Sequence, residues 1–359
     1  MASIKLKGDT SGEVIISAPS VAGNTTLELP ATSSTLATQN SLGVRNLIIN
    51  GDMRIDQRNN GASVAINGNT YSLDRIKNYA TQTSKFTIQQ NAGGVTPPAG
   101  FSNYIGATSS SAYTTLAADY FLISQPIEGL NSAHLNWGTA NAKTVTLSFW
   151  TRSSLTGTFG GNVGNQDGTR SYPFTYTIDS ANTWEYKTVT IEGETSGTWL
   201  ETNAIGIMLY FSLGSGTTFS GTAGAWAAAN LPSATGATSV VGTSGATLYI
   251  TGVQLEVGTT ATDFENLQYT TQLQLCQRYC YVLGGETSFQ WLSTGPSQAT
   301  DFMTGFVFPP VTMRAGPTLS FGTLSHYRAW HANSWGTAVG ISLNQSASGS
   351  IGVDVQKSG

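Results

Sequence analysis

An all-β chain is predicted by three observations. Apolar residues recur at period two along several runs, amphipathic helical periodicity is nearly absent, and clusters of Gly, Asn, Asp and Ser separate the runs. The expected architecture is a β-sandwich or jelly roll, with Gly-rich turns between short strands. The chain has 359 residues, 41 of them Gly, and only 10% are charged. Soluble domains average about 25% charge, so this surface is built on hydroxyl and amide groups.

In chain order, residues 1–40 hold three very short strand signals, Ile4/Leu6, Val14/Ile16 and Leu27/Leu29, punctuated by Gly8-Asp9 and Gly23-Asn24. About 40 residues bury too little surface to fold alone without staples. This segment is therefore expected to complete its core against sister copies or a larger scaffold.

Residues 41–265 have the length and strand count of one large jelly-roll sandwich. Over 144–149, Val145, Leu147 and Phe149 face one way, and Thr144, Thr146 and Ser148 the other. Tyr172, Phe174, Tyr176 and Ile178 alternate with Pro173, Thr175 and Thr177. The inward set of the next run is Ile205, Ile207, Leu209 and Phe211. Over 247–257 it is Tyr249, Val253, Leu255 and Val257, with Gly252 at a bulge. Residues 266–359 open with a short helix near 270–281 and return to β pattern from Phe302, as a small C-terminal β domain or tip. No tandem repeat or sustained heptad occurs.

Composition excludes several functions. A net charge of -4 with 16 Lys+Arg leaves no basic field for nucleic acid. No run of about 18 apolar residues is present to cross a membrane as a helix, so no membrane insertion is expected. The first nine residues lack an apolar h-region, so synthesis is expected in the cytosol without secretion. Cys276 and Cys280 are too few for a disulfide framework. At i,i+4 they share a helix face, and they are expected to be reduced thiols packed as small hydrophobes. Half a zinc site finds no second half among His134, His326 and His331.

Catalysis finds little footing. Asp179 with Glu185, Glu192 with Glu194, and Asp301 are the carboxylates considered for an acid pair, and most sit in turn-like contexts. His326 and His331, five apart in a strand, fall on opposite faces. No nucleophile elbow, phosphate loop or metalloprotease helix motif is present. The chain is expected not to be an enzyme. Sugar binding instead asks for aromatic faces beside neutral hydroxyl and amide groups. Tyr327, Trp330, His331 and Trp335 form the densest such group and are the candidate glycan-binding residues. Trp150, Trp184 and Trp199 read as core or interface, with Trp184 closing an end of the sandwich.

Several motifs carry a family resemblance. Residues 3–12, SIKLKGDTSG, with APSVAG at 18–23 and TLELPAT at 26–32, resemble the N-terminal segment of tailed-phage fibre and virion-appendage proteins, especially those of cyanophages. NLIINGDMRIDQR at 46–58 with SLDR at 72–75 resembles the opening of the domain that follows it. LSFWTRSS at 147–154, NTWEY at 182–186 and YITGVQLEVG at 249–258 are similar to strands of carbohydrate-binding-module-like jelly rolls. LCQRY at 275–279 and MRAGP at 313–317 are similar to the tail of the same phage proteins.

The resemblance implies a non-catalytic homotrimeric virion appendage. Residues 1–40 would join it to other tail or head proteins, and its β domains would bind host-surface polysaccharide. It also implies a structural calcium near Asn50-Gly51-Asp52, with Asp52 a ligand. The usual acidic partner on the closing strand is missing, because Thr251-Gly252 occupies that stretch, so no cofactor is expected. Two rival readings are a capsid head fibre or cement protein and a polysaccharide depolymerase. The lack of a convincing acid pair counts against the second.

Overall fold

Strands that alternate apolar and polar residues must lay their apolar face on another layer. In the computed structural model this is done by two six-stranded antiparallel sheets. The structure describes residues 3–7, 13–17, 45–283, 297–299, 302–321, 323, 327–331, 334–347 and 349–357. The chain divides into two compact units, Met1–Gly43 and Val44–Gly359. In the first, β1 (Ser3–Lys7) and β2 (Glu13–Ser17) form an antiparallel hairpin, Ser3 opposite Ser17 and Lys7 opposite Glu13.

The second unit contains β3 (Val64–Ala65), β4 (Thr70–Tyr71), β5 (Lys77–Ala80), β6 (Phe86–Gln90), β7 (Ile105–Ser109) and β8 (Tyr120–Glu128). Next come β9 (Val145–Ser153), β10 (Gly157–Gly164), β11 (Ser171–Ile178), β12 (Glu185–Ile191) and β13 (Ile205–Ser215). β14 (Ser220–Gly221), β15 (Ser233–Ala234) and β16 (Thr247–Val257) complete the sandwich region. One sheet runs β11-β10-β13-β8-β5-β4 and the other β12-β9-β16-β7-β6-β3. These non-sequential orders are those of a jelly-roll sandwich. A further sheet holds β17 (Ser297–Ala299), β18 (Phe302–Val307), β19 (Arg328–His331), β20 (Ser334–Ser346) and β21 (Ile351–Lys357), in the order β17-β18-β21-β20-β19.

The inward sets interdigitate as the alternation requires. Val145, Leu147 and Phe149 from one sheet and Ile207, Leu209 and Phe211 from the other are all buried in one core. Phe149 meets Phe211 edge-on across the sheets at 4.9 Å and Tyr176 at 5.0 Å. Ile205 is only half-buried, because a register shift separates it from Ile207.

The last sandwich strand departs from the simple alternation. A bulge between Thr251 and Gln254, with Gly252 at φ +61°, reverses the phase of β16. Leu248 and Ile250 therefore enter the core before the bulge, and Val253 and Leu255 after it. Tyr249 turns outward into a separate cluster with Ala92 and Tyr104, and Val257 is exposed. Trp184 packs on this cluster and donates its indole N–H to the Thr96 carbonyl at 2.9 Å. Trp137, Trp199 and Trp226 pack edge to face at 4.8 to 5.7 Å. Each donates its indole N–H to a backbone carbonyl, which holds all three as structural groups.

The segment 46–58 is a hydrogen-bonded knot. The Gln125 side-chain amide stands in for a strand, accepting from Ile49 N and donating to Ile49 O, both at 2.8 Å. Asn50 binds Ile55 N and O in the same way, at 2.9 and 2.8 Å. A short helix, α1 (Gly129–Ser132), follows β8, and the longer α2 (Tyr269–Gln277) docks on the knot through Cys276, buried against Ile49 and Ile55. Both cysteines are free thiols, and burial pushes each thiol's pKa up. Past α2, Arg278 and Tyr279 close over Glu128, with Arg278 Nε 2.9 Å from Glu128 Oε2. The Arg75 guanidinium stacks on the Tyr279 ring at 3.5 Å. Arg314 N donates to Arg278 O at 2.9 Å, and Asn203 Nδ2 donates to Arg314 O at 2.8 Å. These contacts tie the segment around Met313 to the body.

Burial works against the Glu128 charge, but hydrogen bonds from Arg278 and Tyr279 outweigh it and hold its pKa below the ordinary 4.5. The stabilisation is therefore complete above that ordinary value and is lost as pH falls through the lower folded value. Urea midpoints measured down a pH series should drop below pH ~4.5 more steeply in the wild type than in Glu128→Gln. At neutral pH, Arg278→Ala should cost about 3 kcal/mol, by leaving the buried Glu128 charge without its cation and with the Tyr279 hydroxyl as its remaining partner.

Candidate functional site

Strand register sets one row of side chains straight across the first sheet. Pro173 pairs with Asn162, Asn162 with Tyr210, and Tyr210 with Ser124. Ser124 in turn pairs with Lys77, and Lys77 with Tyr71. Directly paired residues share a face and strands lie about 4.8 Å apart, so the row spans roughly 24 Å. The neighbours in sequence, Val163, Phe211 and Ile123, are buried in the core, so the row is on the outer face.

Tyr79 belongs to the adjacent row, paired with Leu122, and meets Tyr210 edge-on at 5.8 Å. Tyr120 leans on Phe219 at 5.0 Å. Lys77 holds its ammonium 4.8 Å from the Tyr79 ring centre and 5.8 Å from that of Tyr71.

Burial, with Tyr71 and Tyr120 close by, pushes the Tyr79 hydroxyl up to about 12. Burial with Tyr79 and Tyr120 raises Tyr210 as well. Both phenols therefore stay neutral at physiological pH, able to donate and to accept. Burial also lowers the Lys77 pKa. Two buried polar atoms flank Tyr210 in the row without a hydrogen-bond partner among the described residues, Ser124 Oγ and Asn162 Oδ1.

The row is walled. Gly160 of β10 faces Ser233 and Ala234, and a Cβ there would stand 2.6 Å from Ser233 Oγ. At the Asn162 end an open cavity of about 90 Å³ is lined by residues that include Asn162, Asn165, Gln166, Asp167, Arg170 and Tyr210. Asn165 builds the turn, accepting from Arg170 N at 2.9 Å and donating to Thr169 Oγ1 at 2.9 Å. Aromatic faces, neutral hydroxyls and amides in one groove suit a polyhydroxylated chain, whose C–H faces stack while its hydroxyls exchange hydrogen bonds.

The residues singled out in the sequence lie elsewhere. Trp330 and Trp335 are register partners in the β19–β20 hairpin, with His331 opposite Ser334 and Tyr327 O accepting from Ala338 N at 2.9 Å. Trp335 is exposed and Tyr327 half-buried. His326 and Asp301 lie outside the described residues.

Glu185 caps a turn, accepting from Asp179 N at 3.0 Å and Ser180 N at 2.8 Å, and ion-pairs with Lys187 at 2.6 Å. Glu194 is buried against Arg170, 2.9 Å from its Nε, while Glu192 is exposed. Asp52 is buried beside Arg54, its ion-pair partner, and burial raises its pKa. Calcium takes six to eight oxygens. Asn50 is occupied by backbone bonds, and no group of three His, Cys, Asp or Glu converges among the described residues.

The tyrosine row was open to detection at one point. Tyr210 sits at outward parity between the inward Leu209 and Phe211, where a surface strand more often carries a polar residue.

No protein-family model matches the chain, and no curated protein matches it. Among solved structures, a putative sugar-binding protein from Bacteroides thetaiotaomicron is similar at 12% identity and TM-score 0.32, over 60% of this chain and 100% of that one. TmCBM61, solved in complex with β-1,4-galactotriose, is similar at 10% identity and TM-score 0.30, over 60% of this chain and 99% of that one. The enzymatically active domain of bacteriophage CBA120 tailspike protein 4 is similar at 12% identity and TM-score 0.30, over 59% of this chain. That match spans only 21% of the tailspike chain.

Gly160→Ala should push β15 off the groove wall and destabilise the fold by about 1–3 kcal/mol, measurable as a lowered urea midpoint.

Proposed function

We propose that this protein is a virion appendage that binds host-surface polysaccharide in the tyrosine groove, without catalysis. The observation that carries the binding is the row Tyr71–Lys77–Ser124–Tyr210–Asn162, an aromatic and amide surface with unspent hydrogen-bonding capacity on an otherwise structural sheet. The carboxylates considered for an acid pair support a binding role, because Glu185 and Glu194 are engaged by backbone N–H groups and Arg170.

The appendage role rests on the resemblance of residues 3–12, 18–23, 26–32, 46–58, 72–75, 275–279 and 313–317 to phage fibre proteins. Residues 1–40 anchor the chain to other virion proteins of tail or head. The β1–β2 hairpin supports this, since an isolated two-stranded hairpin is marginally stable and gains from a partner. Three copies of the chain multiply weak single-site affinity into firm attachment.

Tyr210→Ala and Tyr79→Ala should each weaken binding to host-envelope polysaccharide about 30-fold, corresponding to loss of an aromatic anchor worth ~2 kcal/mol. Affinity electrophoresis reads this directly, and unchanged mobility shifts in both variants would place binding elsewhere. Removal of residues 1–40 should leave a folded body that no longer joins particles, as judged by immunoblot of purified virions.

A further inference from the structure

The cavity beside Tyr210 has chemistry that the rest of the groove lacks. Asn162 is 2% exposed, lines this cavity and carries an Oδ1 that no donor among the described residues reaches. An acceptor buried without a donor costs of the order of a hydrogen bond, so a ligand donor placed there gains more than it would at the surface. The other residues that line the cavity are held by their own contacts. Asn165 is fully engaged in its turn, donating also to Thr198 O at 3.2 Å. Gln166 accepts from Ile205 N at 3.0 Å through its Oε1. Gly168, at φ +69°, brings the turn against Asn230, where a Cβ would lie 3.1 Å from Asn230 Cγ.

Of the two charged residues that line the cavity, Arg170 is already ion-paired, and Asp167 has no ion-pair partner among the described residues. The Arg170 guanidinium is matched by Glu194, with Nε at 2.9 Å from Oε2. Asp167 stands exposed at the rim, its Oδ1 accepting from Thr169 N at 3.1 Å and Thr169 Oγ1 at 2.8 Å. Lys77 is three strands away in the row, roughly 14 Å, beyond the screening length of about 8 Å at physiological salt. A carboxylate or sulfate in the cavity would therefore meet Asp167 with no free cation beside it.

We propose that this cavity is the specificity subsite of the groove. It takes one uncharged sugar unit, whose hydroxyl or amide N–H donates to Asn162 Oδ1 while its ring packs on Tyr210, and it rejects a uronate or sulfated unit at that position. The proposal rests on the groove being the glycan site and adds which residue selects and what it selects. Acidic units elsewhere along the same polysaccharide, toward Lys77, remain compatible with binding.

The test uses the full-length chain in affinity electrophoresis against a panel of galactan, glucan, mannan, an N-acetylglucosamine polymer, polygalacturonate and carboxyl-reduced polygalacturonate. Wild type should bind at least one uncharged polymer and should bind carboxyl-reduced polygalacturonate more tightly than polygalacturonate. Asn162→Ala should lower affinity for the uncharged polymer about tenfold, with a thermal melting curve like that of the wild type. Asp167→Lys should narrow the gap between polygalacturonate and its reduced form by about tenfold.

Full affinity in Asn162→Ala, alongside loss in Tyr210→Ala, would overturn the subsite and leave the groove standing. Tighter binding of polygalacturonate by the wild type would overturn the stated selectivity. Failure of the wild type to bind any polymer on the panel would count against the groove itself, and the subsite would fall with it.

Discussion

The register of the strand Ile205–Ser215 between its two neighbours is the constraint on which the groove depends. Irregularities bracket it, between Ile205 and Ile207 and between Ser212 and Gly214, so the stretch from Ile207 to Ser212 is pinned in phase. That phase sends Leu209 and Phe211 into the core and Tyr210 outward, in line with Asn162 on one side and Ser124 on the other. A slip of one residue would bury Tyr210 and expose both apolar neighbours. Core packing and groove geometry are therefore two faces of one pairing, and neither changes alone.

A second constraint is the buried polar knot at residues 46–58. Its amides replace strand hydrogen bonds, and its apolar residues Ile49 and Ile55 receive Cys276 from α2. The strings at 46–58, 275–279 and 313–317 thus serve as structural joints. The Asn50-Gly51-Asp52 turn binds backbone, with Gly51 so close to the Val253 carbonyl that a Cβ would stand 2.1 Å from its oxygen. Residues 275–279 and 313–317 meet each other through Arg278 and Arg314. The proposed binding surface lies instead on strands whose sequences carry no distinctive motif.

This explains what could be read from residues alone. Strand-scale alternation is a local property, and the inward sets at 145–149 and 172–178 are found where period two places them. The Gly252 bulge was legible, but its consequence was not. One inserted residue shifts the phase of everything before it, which moved Tyr249 out of the sandwich core and Leu248 and Ile250 into it. The groove was illegible for a different reason. Tyr71 and Tyr79 sit on consecutive paired strands, but Tyr210 comes from a strand far along the chain and meets them only through sheet order. Local density of aromatic residues favoured 327–335 instead, where nearness in sequence is visible and nearness in space is not.

The most direct measurement is a crystal structure of the chain with an oligosaccharide cut from the polysaccharide it binds. Sugar density should run across the strands from Tyr71 over Tyr210 to Asn162, with a ring face on Tyr210 and a donor within hydrogen-bond distance of Asn162 Oδ1. Density seated instead at Trp335 on the β19–β20 hairpin, with the tyrosine row bare, would contradict the assignment of the groove.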